Sequence, residues 1–431
     1  MEIERIKKVI VDQKEEIEEF FRRGKIIERE INLEKLKKFL SHPNILVITG
    51  PRRSGKSTLA AMLFKGKKYG YLNFDDERLA GFSSKDFDTA LRAFYELYGE
   101  NLDRFIFDEI QNIPNWELFA NRLRRTKKVV ITGSNAKLLS GDLATHLTGR
   151  YLETVLYPFS FREFLRFKKI EIKKEDFYSA KKVSLIRKLL DEYLKNGGFP
   201  EVLKFGLPIV NKIYDDVIAK DILLRYGVKN KKAFRELANY MISNFGQEIS
   251  YANLGHIFSI KNVHTSKNYV DYLSSSFLIF ILEKFSYKLK QQFITSKKVY
   301  GIDTGLVNSA AFQFSENSGK LMENAVIIDL KRRADYSETK FELYYWRDYS
   351  EKEVDFAVKN GKKITQLIQV CQNLSNFKTK EREIKSLIKA SEELRCDNLL
   401  IIASSEEGIE KIGGKNIAIV PLWKWLLEYS V

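Results

Sequence analysis

Residues 44–57 read NILVITGPRRSGKS, a short apolar run that breaks at a glycine and ends in Gly55-Lys56-Ser57. Residues 45–49 are mostly β-branched and almost wholly apolar, which predicts a strand buried on both faces of a parallel sheet. Residues 56–64 predict a helix. The loop between them fits the pattern G-x-x-x-x-G-K-[ST] in the strand, loop and helix setting that this pattern requires. The stretch therefore predicts a phosphate-binding loop.

The residue types of this loop suit a nucleoside triphosphate. The glycines let backbone N–H groups turn inward, and the helix that begins at Lys56 adds the positive end of its dipole. The Lys56 ammonium would reach the outer phosphates, and the Ser57 hydroxyl would bind a bridging Mg²⁺. A plain Gly-rich turn is the alternative, but it leaves a cation at a helix start without an anion. We expect ATP and Mg²⁺ as ligands. The predicted nucleotide contacts are Gly50, Pro51, Arg52, Arg53, Ser54, Gly55, Lys56, Ser57 and Thr58.

A second motif, RFIFDE, predicts a buried strand whose carboxylates emerge at the ligand-facing edge of the sheet. Asp108 would hold Mg²⁺ together with Ser57, directly or through water. Glu109 would polarise the water that attacks the outer phosphate. The alternative is a buried strand that ends in a solvated acidic turn. A further strand predicted at KYGYLNF and the adjacent Asp-Glu pair favour the NTPase branch with a catalytic glutamate over kinases and GTPases.

Two more polar positions are candidates for the same site. The strand predicted at KVVIT is followed by Ser134 and Asn135, and we expect Asn135 to sense the terminal phosphate beside Glu109. Ser134 as a helix N-cap is the competing structural interpretation, and both can hold. Arg150 precedes a strand predicted at YLETVLY, and we expect it at the ligand end of the sheet as an arginine finger, for its own nucleotide or a neighbour's. A solvated arginine is the alternative.

Length and composition limit the number of domains and the classes of partner and site that the chain can have. A chain of 431 residues is too long for one ordinary core, so several domains are expected. Lys and Arg number 73 against 57 Asp and Glu, a net charge of +16, which suits nucleic acid or, alternatively, the ion-pair networks of heat-stable proteins. Two cysteines and four scattered histidines argue against a disulfide framework and a zinc cluster. With so few cysteines a reducing cytoplasm is the default expectation. No window reaches the roughly 18 apolar residues of a spanning helix, so we expect a soluble protein.

The region from residue 232 onward changes pattern. Three short helices are predicted at FRELANYMISNF, ISYANLGHIF and HTSKNYVDYLSSSFL, followed by strands at 278–288 and 293–300. This order is typical of a winged helix-turn-helix, whose third helix enters a DNA groove. A packing or protein-docking module is the alternative. The residues predicted to face a groove or its phosphates are Thr265, Ser266, Lys267, Asn268, Lys288, Lys290, Gln291 and Gln292.

The motifs TGPRRSGKST, FIFDEIQN, ITGSN, LTGRYLETVLYPFSFREF and GGFPEVL together resemble a family of prokaryotic, especially archaeal, AAA-type ATPases. Members of that family join the ATPase to a winged-helix segment and a C-terminal domain related to restriction endonucleases. The implied fold class is α/β, a P-loop NTPase of the AAA type and catalytic-glutamate branch. The implied segments are an ATPase domain at 1–157, a helical lid at 158–228, a winged helix-turn-helix at 229–305 and a nuclease-like α/β domain at 306–431.

The resemblance also implies a carboxylate centre in the last segment, at Glu323 and Asp355. Nucleases of this kind need an acid-x-lysine pair on the following strand, where the second acid binds Mg²⁺ and the lysine orients water. The aligned positions here are Gln369 and Cys371, so an amide replaces the acid and a thiol replaces the lysine. Weak Mg²⁺ binding through Glu323 and Gln369 is conceivable. We expect no nuclease activity.

The sequence as a whole predicts a Mg²⁺-dependent ATPase whose nucleotide state controls how the C-terminal half engages a partner. The expected partner is duplex DNA, bound with little sequence preference. The alternative is an ATP-dependent switch or protein-docking module with little turnover, and a third hypothesis is an ATP-gated nuclease. Oligomers are compatible with either of the first two.

Overall fold

The computed structural model describes residues 1–23, 26–138, 147, 149–310 and 318–428. The chain divides into two compact units, Met1–Tyr157 with Ser275–Phe277, and Pro158–Ser274 with Leu278–Val431. Within the described ranges, no helix has the length and apolar character needed to cross a membrane. The predicted boundaries at residues 157, 228 and 305, and the identities of the segments that they separate, stay predictions.

The first unit contains a five-stranded sheet with helices around it. Its strands are β1 Ile45–Thr49, β2 Gly70–Asn73, β3 Arg104–Asp108, β4 Lys128–Gly133 and β5 Tyr151–Val155. Its α-helices are α1 Ile3–Arg22, α2 Leu33–Phe39, α3 Lys56–Leu63, α4 Phe87–Tyr98 and α5 Trp116–Leu123. Short 3₁₀ turns lie at Glu77–Leu79, Ser84–Asp86 and Ile110–Asn112.

This sheet confirms the predicted P-loop NTPase fold. All its strand pairs are parallel, in the order β2-β3-β4-β1-β5. Every residue of β1 is buried, as its unbroken apolar run predicts. Strand β4 separates β1 from β3, and the register aligns Thr49 with Gly133 and Phe107 with Ile131. The carboxyl ends of β1, β3 and β4 therefore lie at one edge, which brings the loops that follow them together.

The second unit contains a larger mixed sheet and most of the helices. Its α-helices are α6 Phe161–Phe167, α7 Ala180–Asn196, α8 Pro200–Phe205, α9 Pro208–Asp216, α10 Lys231–Ser243, α11 Tyr251–Ile257, α12 Val263–Ser275, α13 Leu289–Ile294, α14 Thr304–Ala310, α15 Ser318–Tyr336, α16 Phe377–Leu394 and α17 Leu422–Glu428. A 3₁₀ turn lies at Lys174–Tyr178 and a π-helix at Val217–Leu224. Its strands are β6 Gln247–Ile249, β7 Ile279–Lys284, β8 Lys297–Gly301, β9 Glu342–Arg347, β10 Glu353–Asn360, β11 Lys363–Cys371, β12 Leu399–Ala403, β13 Gly408–Ile412 and β14 Lys415–Pro421.

These nine strands form one sheet in the order β13-β14-β12-β11-β10-β9-β7-β8-β6. The pairs β11/β12, β12/β14 and β7/β9 are parallel and the others are antiparallel. The pairing of β7 with β9 is short, with only Glu283 opposite Tyr344 and Lys284 opposite Tyr345. The three strands β6, β8 and β7 thus continue the sheet formed by the C-terminal strands.

The strand predicted at 293–300, the second of the winged helix, is wrong in its first half. Residues Leu289–Ile294 are helical, and β8 begins only at Lys297. Ser286 explains the change, since its hydroxyl accepts a hydrogen bond from the Lys288 backbone N–H at 3.1 Å. Its carbonyl accepts another from the Gln292 side chain at 2.7 Å. These bonds favour a turn and a short helix over an extended strand.

The GGFP motif is structural. The Gly198 N–H donates to Asp303 Oδ2 at 2.6 Å, and the Leu306 N–H donates to Asp303 Oδ1 at 3.0 Å. A Cβ on Gly197, whose φ is 74°, would lie 2.0 Å from Asp303 Oδ1, so only glycine fits. Burial raises the pKa of Asp303 to about 6, although the backbone N–H groups act in the opposite direction.

Candidate nucleotide site

The two glycines of the phosphate loop are required by its geometry. A Cβ on Gly50, at φ 144°, would lie 2.3 Å from the Leu156 carbonyl oxygen. That close approach follows from the extension of β5, where the Leu156 N–H donates to the Thr49 carbonyl at 2.7 Å. Gly55 is the N-terminal cap of α3 in the left-handed region, with φ 96°. The loop therefore wraps tightly between β1 and α3, as the sequence predicted.

Lys56 is buried inside the loop. Its Nζ donates to the carbonyl oxygens of Gly50 and Pro51 at 3.2 and 3.1 Å, and it lies 3.6 Å from Glu109 Oε1. The Ser54 hydroxyl is also buried and finds no hydrogen-bond partner within the described part of the chain. A buried ammonium and an unsatisfied hydroxyl inside a Gly-rich loop fit an anionic phosphate ligand. The residues present thus suit a triphosphate.

The other loop residues have separate positions. The Arg52 guanidinium donates to Asp75 Oδ2 at 2.9 Å. Arg53 has a left-handed backbone, with φ 66°. Thr58 lies in the first turn of α3.

Arg29 contacts the phosphate loop, and the sequence did not reveal this contact. Its guanidinium donates to the carbonyl oxygen of Ser54 at 2.9 Å and also to that of Tyr157. Arg29 is buried and precedes Ser54 by 25 residues, so no local sequence pattern connects the two. Its two bonds tie the phosphate loop to the end of the segment that follows β5.

Asp108 is buried at the carboxyl end of β3 and accepts several hydrogen bonds. Its Oδ2 accepts from the Ser57 hydroxyl at 2.5 Å and from the Tyr71 hydroxyl at 2.7 Å. Its Oδ1 accepts from the Thr132 hydroxyl. Burial raises the pKa of Asp108, and the neighbouring Glu109 charge adds to the effect. The two predicted Mg²⁺ ligands, Ser57 and Asp108, are therefore in direct contact.

Glu109 has a different setting. Its backbone is left-handed, with φ 51°. Its Oε2 accepts hydrogen bonds from the Gln111 side chain and, at 3.2 Å, from the Ser134 backbone N–H. Burial acts to raise the pKa of Glu109, but the charges of Lys56 and Arg52 and these hydrogen bonds outweigh it and hold the pKa below its ordinary value. A strained backbone and an oriented, ionised carboxylate are typical of a functional group.

The positions after β4 agree only partly with expectation. The Ser134 backbone N–H binds Glu109, so this residue contributes to the site through its main chain. Asn135 is buried, and its Oδ1 accepts from the Lys137 N–H at 2.7 Å. Its role as a phosphate sensor stays a prediction.

The predicted placement of Arg150 is wrong. Its carbonyl accepts from the Ile45 N–H at 3.0 Å, and the next residue, Tyr151, pairs with Ile45 at the start of β1. In a parallel sheet that position is the amino-terminal edge, about five residues or roughly 16 Å from the phosphate loop. Arg150 is exposed there. Burial lowers the pKa of Arg124, and the nearby Arg150 charge adds to this effect. An arginine finger toward its own nucleotide is excluded, whereas a role toward a neighbouring subunit stays a prediction.

The groove-facing set in α12 needs one correction. Ser266 is fully buried, so it does not face a groove. Lys267 and Asn268 are exposed, and Thr265 is half-buried. The exposed wing residues Lys288, Lys290 and Gln291 lie at or next to α13.

The predicted carboxylate centre in the second unit has two members that the sequence did not reveal. Glu323 and Asp355 both contact the Lys298 ammonium, which also lies 2.6 Å from Glu353. Gln369, which stands where an acid was expected, donates to Glu383 Oε2 at 2.7 Å. Cys371 is buried, and burial raises its pKa. The expected lack of nuclease activity stays a prediction.

Comparison with known proteins identifies an AAA domain in the part of the chain that carries the phosphate loop. Residues 42–165 match an AAA domain, while residues 187–318 and 318–425 match two domains of unknown function (DUF8612 and DUF4143). The chain is 37% identical over 432 residues to the uncharacterized protein MJ1544 of Methanocaldococcus jannaschii, covering 95% of this chain and 93% of that protein. It is 31% identical over 406 residues to an uncharacterized protein of Haemophilus influenzae, covering 88% of this chain and 97% of that protein. The Walker-type ATPase PABY2304 of Pyrococcus abyssi superposes with a TM-score of 0.41 at 15% identity, covering 66% of this chain and 96% of that chain.

Proposed function

The chain contains an AAA domain and belongs to the same family as its archaeal and bacterial relatives, and from this premise we propose that it is a Mg²⁺-dependent ATPase. Membership in a P-loop family implies nucleotide binding. Hydrolysis is the further step that we propose, with Ser57 and Asp108 holding Mg²⁺ and Glu109 directing the attacking water. The bound Mg²⁺ would neutralise charge on the outer phosphates.

The observation that carries this proposal is the division between the two adjacent carboxylates. Asp108 accepts a hydrogen bond from the Ser57 hydroxyl, so these two groups would hold a metal together. Glu109 turns the other way, toward Lys56 Nζ and the Ser134 N–H, and no described contact joins it to Ser57. One carboxylate is thus available to a metal and the other to a water molecule, the two roles that phosphoryl transfer to water requires.

The second unit supports a proposal of DNA engagement. Its elements α10, β6, α11, α12 and β7 follow one another in the order of a winged helix, and β8 comes after the short helix α13. Strands β6, β8 and β7 form an antiparallel group. Lys267 on α12 and Lys288 and Lys290 beside or within α13 are exposed. Exposed lysines on such elements suit phosphate contacts, and the net charge of +16 favours a polyanion.

A switch with little turnover is the second candidate, because both oxygens of Glu109 are already engaged. Oε2 holds two hydrogen bonds, and Oε1 faces Lys56 at 3.6 Å. A glutamate held in this way acts on water only after Lys56 has moved to the phosphates, so slow basal hydrolysis is compatible with the geometry.

Steady-state ATP hydrolysis by the full chain, measured with Mg²⁺ and with duplex DNA, single-stranded DNA or no polymer, separates the two candidates. We expect turnover that depends on Mg²⁺ and rises with duplex DNA. ATP binding without turnover under all three conditions would instead support the switch.

A further inference from the structure

Lys298 is a buried lysine that the proposed ATPase does not use. Its side chain is 3% exposed. Its Nζ donates to Glu323 Oε1 at 3.0 Å and to Asp355 Oδ1 at 3.2 Å, and it lies 2.6 Å from Glu353 Oε1. An ammonium group has three N–H donors and no acceptor, and here two hydrogen bonds and one ion pair join it to three carboxylates. The lysine is therefore fully matched by these three partners.

The two deeper carboxylates are held in place by other groups. Tyr300 on β8 donates to Glu323 Oε1 at 2.6 Å. The Val370 N–H on β11 donates to Asp355 Oδ2 at 2.9 Å. Because these bonds come from separate strands, the carboxylates are oriented toward the centre by the fold itself.

Asp355 is buried, while the Glu323 and Glu353 side chains are 14% and 28% exposed. Three carboxylates this close together repel one another unless a cation lies between them, because partial burial reduces the screening by water. Oxygen-only sets of this kind ordinarily take Mg²⁺, Mn²⁺ or Ca²⁺. Among the described residues, no group of His, Cys, Asp or Glu is arranged to hold a metal ion. The centre formed by Glu323, Glu353 and Asp355 instead converges on Lys298 Nζ.

We propose that Lys298 is the built-in cation of this centre, and that it keeps the three carboxylates closed to divalent cations. The lysine comes from β8, whereas Glu353 and Asp355 come from β10 and Glu323 from α15. Strands β7 and β9 lie between β8 and β10 in the sheet. The pairing of β7 with β9 consists of only two residue pairs. Lys298 thus occupies the position of a metal ion and also fastens the β6-β8-β7 group to the C-terminal strands.

The contact has a specific consequence for the chain. Withdrawal of β8 would leave three carboxylates without their cation, and a divalent ion is the chemical class that replaces it. Replacing Lys298 by an uncharged residue of similar length would also leave the three carboxylates without their cation, with no movement of β8.

The test is Mn²⁺ binding to the nucleotide-free full chain, measured by electron paramagnetic resonance of the free ion. We expect Lys298→Met to bind one Mn²⁺ at the three carboxylates, with an affinity at least about tenfold higher than that of the parent for this centre. The reason is that the uncharged side chain removes the competing cation. Lys297→Met is the matched control, because Lys297 is also buried but binds Glu283 at 3.2 Å and the Gln292 carbonyl at 2.9 Å. Adding Asp355→Asn to Lys298→Met should abolish the new site.

Unchanged Mn²⁺ binding in a folded Lys298→Met variant would overturn the proposal. The parent protein gives a second test that does not depend on the folding of that variant. If the parent binds Mn²⁺ tightly and Asp355→Asn abolishes this binding, Lys298 does not close the centre. Because no nucleotide is added, either outcome is independent of the proposed ATPase activity.

Discussion

Lys56 Nζ lies 3.6 Å from Glu109 Oε1, so the cation expected to bind phosphate and the carboxylate expected to direct water form a buried ion pair. Two buried charges of opposite sign stabilise each other only while both are present. A phosphate that binds Lys56 takes over as the partner of the ammonium and frees one oxygen of Glu109. Ligand binding and activation of the glutamate are thus linked through a single contact.

The first prediction concerns Lys56→Ala. We expect this variant to lose most of its affinity for ATP, because Lys56 neutralises phosphate charge in the bound state. Isothermal titration with a non-hydrolysable ATP analogue measures the effect. Lys65→Ala, at an exposed lysine just beyond α3, is the control and should bind as the parent does. Parent-like affinity in Lys56→Ala would show that the loop does not hold the phosphates.

Gln111→Ala tests the positioning of Glu109. We expect kcat to fall about ten- to a hundredfold with KM little changed, since a hydrogen bond to a charged group contributes roughly 1.5–3 kcal/mol. Asn112→Ala is the control, because the Asn112 side chain binds the Phe74 carbonyl at 3.2 Å and not the glutamate. A rise in KM with unchanged kcat would mean that Gln111 acts on substrate binding alone.

The conformation of the phosphate loop, the parallel sheet and the pair Asp108 and Glu109 were predictable from sequence because each is local. A five-residue apolar strand, a Gly-rich loop and a helix start leave few alternative geometries. Ser134 was found for the same reason, since it directly follows β4.

The other contacts depend on strand order and on long-range packing, which local patterns do not encode. Arg29 reaches Ser54 from 25 residues away, and Lys298 reaches Asp355 from 57 residues away. Arg150 was misplaced because its distance in sequence from the loop says nothing about the edge of the sheet. Its position before a parallel strand, however, already implied the amino-terminal edge.

Stability should depend on pH through Asp303. The folded pKa of about 6 is above the ordinary value of 3.8, so the unfolded chain releases this proton at lower pH. The contribution to stability is therefore fully present below about pH 3.8 and is lost as pH rises through about 6. The shift corresponds to roughly 3 kcal/mol, at about 1.4 kcal/mol per pKa unit.

Chemical unfolding of the parent and Asp303→Asn between about pH 4 and 7 measures this dependence. The parent should lose unfolding free energy relative to the variant as pH rises, because the amide does not titrate. Parallel curves for the two proteins would contradict the assignment, whatever the absolute stability of the variant.

Duplex DNA binding should weaken with salt at a log-log slope of about −0.9 per phosphate contact. If Lys267, Lys288 and Lys290 each contact a phosphate, replacing all three by alanine flattens the slope by about 2.7. Fluorescence anisotropy over roughly 50–200 mM salt measures both slopes. Alanine at Lys38, Lys65 and Lys67, three exposed lysines of the first unit, is the matched control. An equal loss in both triple variants would indicate nonspecific charge and not a contact surface.

Paired determination of ATP affinity and turnover for the parent and Glu109→Gln decides whether Glu109 directs hydrolysis. Glutamine keeps the size of the side chain and can still accept a hydrogen bond from the Ser134 N–H, but it does not polarise water as a carboxylate does. We predict near-parental affinity and a fall in kcat of about 10² to 10³, the usual effect of losing one oriented group. Turnover at the parental rate by Glu109→Gln would contradict the assignment of Glu109 and the hydrolytic mechanism built on it.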